Sequence, residues 1–255
     1  MSNDNPSADR YNTEQELFWQ GQFGDEYMAR NTSEAYIREN VVFFEKVFSL
    51  IDMPQSVLEF GPNTGMNLRA ISALKPDIKL AGVEINKHAA DELAKNLPNA
   101  NIYVDSFLEF KSSQSWDLVF CKGVLIHIAP DRLEDAYDAL YTHSNAYILV
   151  AEYYNTSPIE VQYRGHAKKM FKRDFCGEML DRYVNLKLID YGFIYHRDPN
   201  FDFYEIYSTG RKTLARNHAA LFFEDVVNAI SQRLDHFIDC VARGLRESFQ
   251  YNVGL

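Results

Sequence analysis

Cysteine is scarce in this chain: Cys121, Cys176 and Cys240 are the three in 255 residues, far apart and without a CxxC pair. An odd, scattered set supports neither a disulfide framework nor a zinc site, and it fits a reducing cytoplasm. No apolar run approaches the length that spans a bilayer, and Met1 to Arg10 is polar, without the apolar stretch of a secretion signal. Positive charge is in deficit as well. With 26 Lys and Arg against 36 Asp and Glu the net charge is −10, a field that repels nucleic acid and anionic membranes. No internal repeat or low-complexity tract is present. What the chain does have is apolar bulk, 46% with 14% aromatic, enough for the core of one large domain, or of one domain with a helical appendage.

Residues 1–12, rich in Ser, Asn, Asp and Pro, bury too little to offset their ordering entropy and are expected to be disordered. Over 13–54 an aromatic segment, Glu14 to Asn31, and a helix from an N-cap at Ser33 to Ile51 are expected to form a helical lid. From 55 to 210 short apolar runs alternate with helical spacing. Ser56 to Phe60, Lys79 to Ile85, Asn101 to Asp105, Trp116 to Cys121 and Asn145 to Ala151 read as strands. Such alternation implies an α/β, Rossmann-like, doubly wound and mainly parallel sheet. Leu186 to Ile194 and Phe203 to Ser208 are expected to close it as an antiparallel hairpin. Over 211–255 the stripe Leu221, Phe222, Val226, Ile230, Leu234, Phe237, Val241 and Leu245 predicts a C-terminal helical extension. It packs either on its own copy, as a homodimer, or back on the same chain.

The first strand runs into Glu59-Phe60-Gly61-Pro62-Asn63-Thr64-Gly65, with glycines where a strand must turn sharply and admit a ligand to its backbone. A carboxylate, Glu84, follows at the second strand's tip beside Ile85, placed for a ribose diol. Asp105, Ser106 and Phe107 end the third strand with an acceptor and a flat face for adenine. A pyrophosphate would be poorly served by Glu59, two residues before the first glycine, whereas a cationic ligand would welcome it. These features select S-adenosylmethionine over a dinucleotide.

On these residues the chain resembles the class I methyltransferases, whose acidic residue, two glycines and ribose carboxylate are matched by Glu59, Gly61, Gly65 and Glu84. Asn63 stands where many of them carry another glycine, and Asn tolerates left-handed angles. Over roughly residues 14 to 209 the runs Phe18-Trp19-Gln20-Gly21-Gln22-Phe23-Gly24-Asp25-Glu26-Tyr27, Lys122-Gly123-Val124-Leu125-Ile126-His127-Ile128, Ala151-Glu152-Tyr153-Tyr154-Asn155 and Tyr163-Arg164-Gly165-His166 look like the methylases associated with pseudaminic acid biosynthesis. So do Phe171-Lys172-Arg173-Asp174-Phe175 and Asp190-Tyr191-Gly192-Phe193. That resemblance implies a nonulosonic acid or related sugar as acceptor. The tail after Arg211 departs from the family pattern.

Methyl transfer needs a positioned nucleophile, exclusion of water and, for a hydroxyl, a base. Ligands of such sheets lie beyond the strands' carboxyl ends, so His127 is the first candidate base, with a helix cap near Pro130 as the alternative. Tyr153 is a second catalytic candidate. Lys122 and Gly123 are expected to line the cofactor, with Tyr27, Arg30 and Asn31 closing over it and Arg30 pairing with its carboxylate. Trp19, Glu152 and Tyr154 are candidates for the acceptor, although Trp19 also suits a helix merely packed on the sheet. In an acidic chain the island Arg164, His166, Lys168, Lys169, Lys172 and Arg173 predicts an anionic acceptor. Arg164 would bind it as a fork, with Tyr163 or His166 on its ring hydroxyls. The expected partner is thus a small anionic molecule, not nucleic acid or membrane. A non-catalytic module that binds the same cofactor, and a methyltransferase for proteins, are the competing classes.

Overall fold

The computed structural model describes residues 13–30, 34–194, 206–212 and 219–222. All lie in the unit Met1–Glu224; the second unit, Asp225–Leu255, falls outside them. Three helices come first: α1 (Glu14–Gln20), α2 (Gln22–Arg30) and α3 (Glu34–Ser49). Thr13 and Glu16 form a reciprocal capping box on α1, which satisfies amides that the first turn cannot pair internally. On α3 the buried residues Phe43, Phe44, Val47 and Phe48 make the apolar stripe that helical spacing places on one face.

The five expected parallel strands follow as β1 (Ser56–Phe60), β2 (Lys79–Glu84), β3 (Asn101–Val104), β4 (Trp116–Lys122) and β5 (Ser144–Ala151). They pair in the order β3-β2-β1-β4-β5, with α4 (Met66–Leu74), α5 (Lys87–Asn96) and α6 (Leu133–His143) as crossovers. The core is split by the sheet, and the pleat decides which side each residue joins. Along β4 Leu118 and Phe120 pack with Phe44 and Ile71, while Val119 and Cys121 pack with Phe107 and Leu140. Along β5 Leu149 joins the first group, Ile148 and Val150 the second. Strands buried on both faces read as continuous apolar runs, which is why this part of the fold is visible in the sequence.

After β5 the chain forms a separate two-stranded antiparallel ladder, β6 (Ile159–Tyr163) with β7 (His166–Lys172). Its turn residues Arg164 (φ 48°) and Gly165 (φ 88°) are both left-handed, the geometry that matches a tight hairpin to the twist of its strands. The basic island therefore rides largely on a hairpin. Helix α7 (Phe175–Arg182), N-capped by Asp174, leads to β8 (Leu186–Phe193) and β9 (Ile206–Lys212), which pair antiparallel as expected.

The start of the tail corrects the sequence reading. Residues 211–212 belong to β9, and β10 (Ala219–Phe222) is a strand lying between β9 and β5, parallel to β5. A short apolar run such as Ala-Ala-Leu-Phe does not distinguish helix from strand by periodicity. The rest of the stripe, from Val226 to Leu245, and the expected disorder of 1–12 lie outside the described residues. Among the described residues no helix is long and apolar enough to cross a membrane.

Candidate cofactor and acceptor site

The ends of β1, β2, β3 and β4 converge on one cavity whose wall includes Gly61, Asn63, Glu84, Ile85, Ser106, Phe107, Lys122 and Gly123. The turn after β1 owes its shape to three left-handed residues: Gly61 (φ 71°), Asn63 (φ 50°) and Gly65 (φ 86°). Space forbids side chains at both glycines. A Cβ on Gly61 would fall 2.6 Å from Val124 Cγ2, and one on Gly65 2.1 Å from Leu93 Cδ1. Asn63 takes the conformation that its place in the run required.

Glu84 is buried at the tip of β2. Its Oε2 accepts from the Asn63 N–H and its Oε1 from the Asn86 N–H, both at 2.8 Å. Burial pushes its carboxyl up, and these amides oppose the shift. Each oxygen still has a lone pair for a hydroxyl donor. Glu59 is completely buried, and its Oε1 accepts from Asn67 Nδ2 at 2.6 Å. Its Oε2 has no hydrogen-bond partner among the described residues, and burial raises the carboxyl to about 8. An unsatisfied buried carboxyl behind a cavity suits a cationic ligand. It is Asn67, however, and not Glu59, that reaches the wall.

On the third strand Ser106 and Phe107 line the cavity while Asp105 does not; one Asp105 oxygen accepts from the Ser106 N–H at 2.8 Å. The surprise here is Glu16 of α1, buried, on the wall, and accepting from Ser106 Oγ. Its capping signature, Thr13-x-x-Glu16, is readable in the sequence, but not its reach to β3.

His127 lies in a 3₁₀ turn, Leu125–His127, and lines the cavity. Its Nδ1 meets the carbonyl of Lys169, so that nitrogen carries the proton and Nε2 keeps its lone pair. It does not cap the helix near Pro130. Burial lowers its pKa to about 4, which keeps the ring neutral. Trp19 lies 4.6 Å and Tyr163 4.8 Å from it, ring centre to ring centre. Trp19 also meets Phe23 and Tyr27 edge-on, and Trp19 and Tyr27 both line the cavity.

Other expected residues stand elsewhere. Glu152 is not an acceptor ligand: it is buried, and its oxygens accept from the N–H groups of Val124, Leu125 and Ile126 at 2.8, 2.8 and 3.3 Å. It braces the turn that carries His127. Tyr153, under Lys172 Nζ at 5.0 Å, and Tyr154 are off the cavity wall. Arg164 is exposed at the hairpin turn with its guanidinium 5.8 Å from the Tyr163 ring, and His166 packs on Phe18 and Phe23. The Arg30 side chain and Asn31 lie outside the described residues. Gln15, Tyr36, Asn40, Met66 and Asn67 complete much of the wall and carry no sequence signal of their own.

Residues 58–146 match the model of a methyltransferase domain family. With the strand order above, this defines a class I S-adenosylmethionine-dependent methyltransferase domain, and the residues on the wall fit that cofactor. No curated protein matches the chain. Similar solved structures include the plantazolicin methyltransferase BpumL bound to a pentazolic substrate analogue and SAH, at 17% identity and TM-score 0.42, covering 55% of this chain and 57% of that one. An amino pentose methyltransferase from Micromonospora echinaspora is 14% identical over 56% of this chain and 64% of its own, with TM-score 0.44. For a sugar N-methyltransferase from a Streptoalloteichus species the figures are 18%, 62%, 66% and 0.46. The chain thus spans little more than half the length of the first of these.

Proposed function

We propose that this chain is a small-molecule methyltransferase whose acceptor is an anionic sugar, nonulosonic acid or sugar nucleotide. One observation carries the acceptor class. The β6–β7 hairpin presents exposed Arg164, His166 and Lys168 next to Tyr163, whose ring packs on His127. The Arg164 fork suits an anion, and Tyr163 links the hairpin to the imidazole. The resemblance to methylases of pseudaminic acid biosynthesis supports the same class.

S-adenosylmethionine supplies a methyl group already activated by its sulfonium charge. The chain's task is placement. Glu84 takes the ribose hydroxyls; Ile85, Ser106 and Phe107 surround the adenine; Gly61, Asn63 and Gly65 bring the backbone close. Lys122, Gly123 and, behind them, Glu59 serve the amino-acid end, which Tyr27 covers and to which we assign Arg30 and Asn31. Trp19 excludes water, and Nε2 of His127 accepts the acceptor's proton. An imidazole held near pKa 4 is a poor base for a hydroxyl, whereas a neutral amine attacks the methyl group without first losing a proton, which favours N- over O-methylation.

Mass spectrometry of candidate sugar nucleotides and nonulosonic acids, incubated with protein and isotopically labelled cofactor, tests the proposal. A label on the amine of an anionic sugar is expected. Equal labelling of a neutral analogue, without salt dependence, removes the acceptor class. Cofactor binding with no label on any acceptor favours the non-catalytic reading. Self-association of the C-terminal segment belongs to the proposal too, and light scattering showing a monomer at high micromolar concentration removes it.

A further inference from the structure

Asn86 is buried two residues beyond Glu84; its carbonyl accepts from the Ala90 N–H at 2.9 Å, and its other polar groups are used as well. Its N–H donates to Glu84 Oε1 at 2.8 Å, and its Oδ1 caps α5 by accepting from the Ala89 N–H at 2.9 Å. The remaining group, Nδ2, donates to the carbonyls of Trp19 and Gln20 at 3.3 and 3.2 Å and to Asp25 Oδ1 at 2.8 Å. The joint between α1 and α2 is therefore gathered on a single amide. That amide, and then His88 at 2.9 Å, hold the Asp25 carboxyl below its ordinary range. The joint is tight: a Cβ on Gly24 would lie 1.9 Å from the Trp19 carbonyl oxygen and 2.8 Å from Asn86 Nδ2.

Besides the ring contacts of Phe18 and Trp19, α1 is held by polar groups. Glu16 meets Ser106, Gln15 Nε2 donates to the Lys168 carbonyl at 2.9 Å, and Glu14 pairs with Lys169 at 3.3 Å. The buried residues of the helix are Gln15 and Glu16, while Leu17 is 48% exposed. Apolar burial is non-directional, but hydrogen bonds set position, so a helix docked in this way takes its register from its donors. Trp19 is the residue whose position matters most, because its own carbonyl hangs on Asn86 and its ring lies on His127.

We propose that Asn86 is a positioning residue that sets Trp19 over His127 from the ribose-side carboxylate, giving the cofactor and acceptor halves of the site one shared anchor. The inference rests on the reading above only in its cofactor arm. Asn86→Asp keeps the helix cap and the N–H to Glu84 but turns an oxygen toward two carbonyls and a carboxylate. Asp25→Asn in the same chain restores a donor.

Two measurements on the full chain test it: acrylamide quenching of tryptophan fluorescence, in which the buried Trp116 stays silent and Trp19 reports, and calorimetry with S-adenosylhomocysteine. Asn86→Asp is expected to raise the quenching constant about 2-fold and the Kd about 10-fold, the scale of losing a charge-assisted hydrogen bond. The double variant rebuilds only the contact between positions 25 and 86 and is expected to return part of both. Quenching like the parent's, or a double variant no closer to the parent than Asn86→Asp, overturns the proposal. Should Asn86→Asp not fold, Asp25→Lys on the half-exposed α2 opposes a cation to the same amide, and unchanged quenching there overturns it equally. If the parent fails to bind S-adenosylhomocysteine, the cofactor reading falls while the quenching arm still decides the role of Asn86.

Discussion

The proposed cofactor and acceptor halves of the site are built by different means. On the cofactor side, backbone does the shaping: left-handed Gly61, Asn63 and Gly65, and a Glu84 carboxylate fixed by two main-chain amides. On the acceptor side, side chains do it: Trp19, Tyr163 and His127 pack ring on ring, and exposed cations stand on a hairpin. A backbone-built half is hard to alter without damage to the fold, and a half built of side chains can change its partner one residue at a time. The first should hold a constant ligand and the second a variable one.

The sharpest test of this contrast is His127, where chemistry and not binding is at stake. His127→Ala should lower turnover by about 10² for an amine acceptor and up to about 10⁴ for a hydroxyl, with cofactor affinity unchanged. Since its pKa is lowered to about 4, the imidazole is neutral at every pH above that. The rate should therefore show no titration of His127 between pH 6 and 9, and a rate profile with an inflection near 6.5 that vanishes in His127→Ala would contradict the burial argument.

Paired glycine substitutions compare the halves directly. Gly65→Ala adds a Cβ 2.1 Å from Leu93 at φ 86°, whereas Gly165→Ala at φ 88° meets nothing within 4 Å. The first should cost about 2–4 kcal/mol in urea unfolding, from strain plus overpacking, and the second about 1 kcal/mol, from strain alone. Equal costs would mean that the cofactor turn is no more constrained than the hairpin. Next in size is Glu84→Ala, expected to weaken cofactor binding by about 1.5–3 kcal/mol while the acceptor KM stays put. Normal binding by the folded variant would remove the ribose assignment.

Glu59 extends the comparison to pH. Burial raises its carboxyl from 4.5 to about 8, so between those values the folded chain holds a proton that the unfolded chain has lost. Stability from this group is full below 4.5 and is lost as pH rises through about 8; Glu152, raised to about 7, acts in the same direction. A cationic cofactor favours the ionised form, so binding at pH 7 should release protons and tighten toward pH 8. Calorimetry in two buffers of different ionisation enthalpy reads this, and Glu59→Gln should abolish it. Identical heats in both buffers for the parent would show that Glu59 does not sense the ligand.

The same division explains what could be read from the sequence. Strands β1, β2, β4 and β5 were legible because burial on both faces leaves nearly unbroken apolar runs, and the turn because few residue types accept φ near 50–86°. Glu152 misled because it shares the strand-tip position of Glu84; its role depends on Val124, Leu125 and Ile126 turning their amides toward it, which no spacing announces. Glu16 and Asn86 escaped the sequence reading, since their contacts to Ser106 and Trp19 span 90 and 67 positions. Strand β10 was hidden in a run too short to carry a period.

The smallest expected effects fall on the hairpin, and they decide whether its charge has a purpose. Arg164 is held left-handed at the turn, exposed, and its guanidinium rests by Tyr163, the ring that packs on His127. Lys168 is equally exposed, but its N–H is committed to Glu160 and its carbonyl to Gln15, contacts that survive any side-chain change. Lys169 and Arg173 are partly neutralised by Glu14 and Glu178. Arg164→Ala should therefore raise the acceptor KM about 3- to 10-fold at unchanged cofactor affinity, whereas Lys168→Ala should change it by less than about 2-fold. Raising the salt concentration should weaken the parent toward Arg164→Ala and leave that variant almost unaffected, because screening removes only what the guanidinium contributes. Equal losses for the two variants would mean that the hairpin offers a diffuse field and not a fork, and the acceptor would then be selected by the rings of Trp19, Tyr163 and His127 alone.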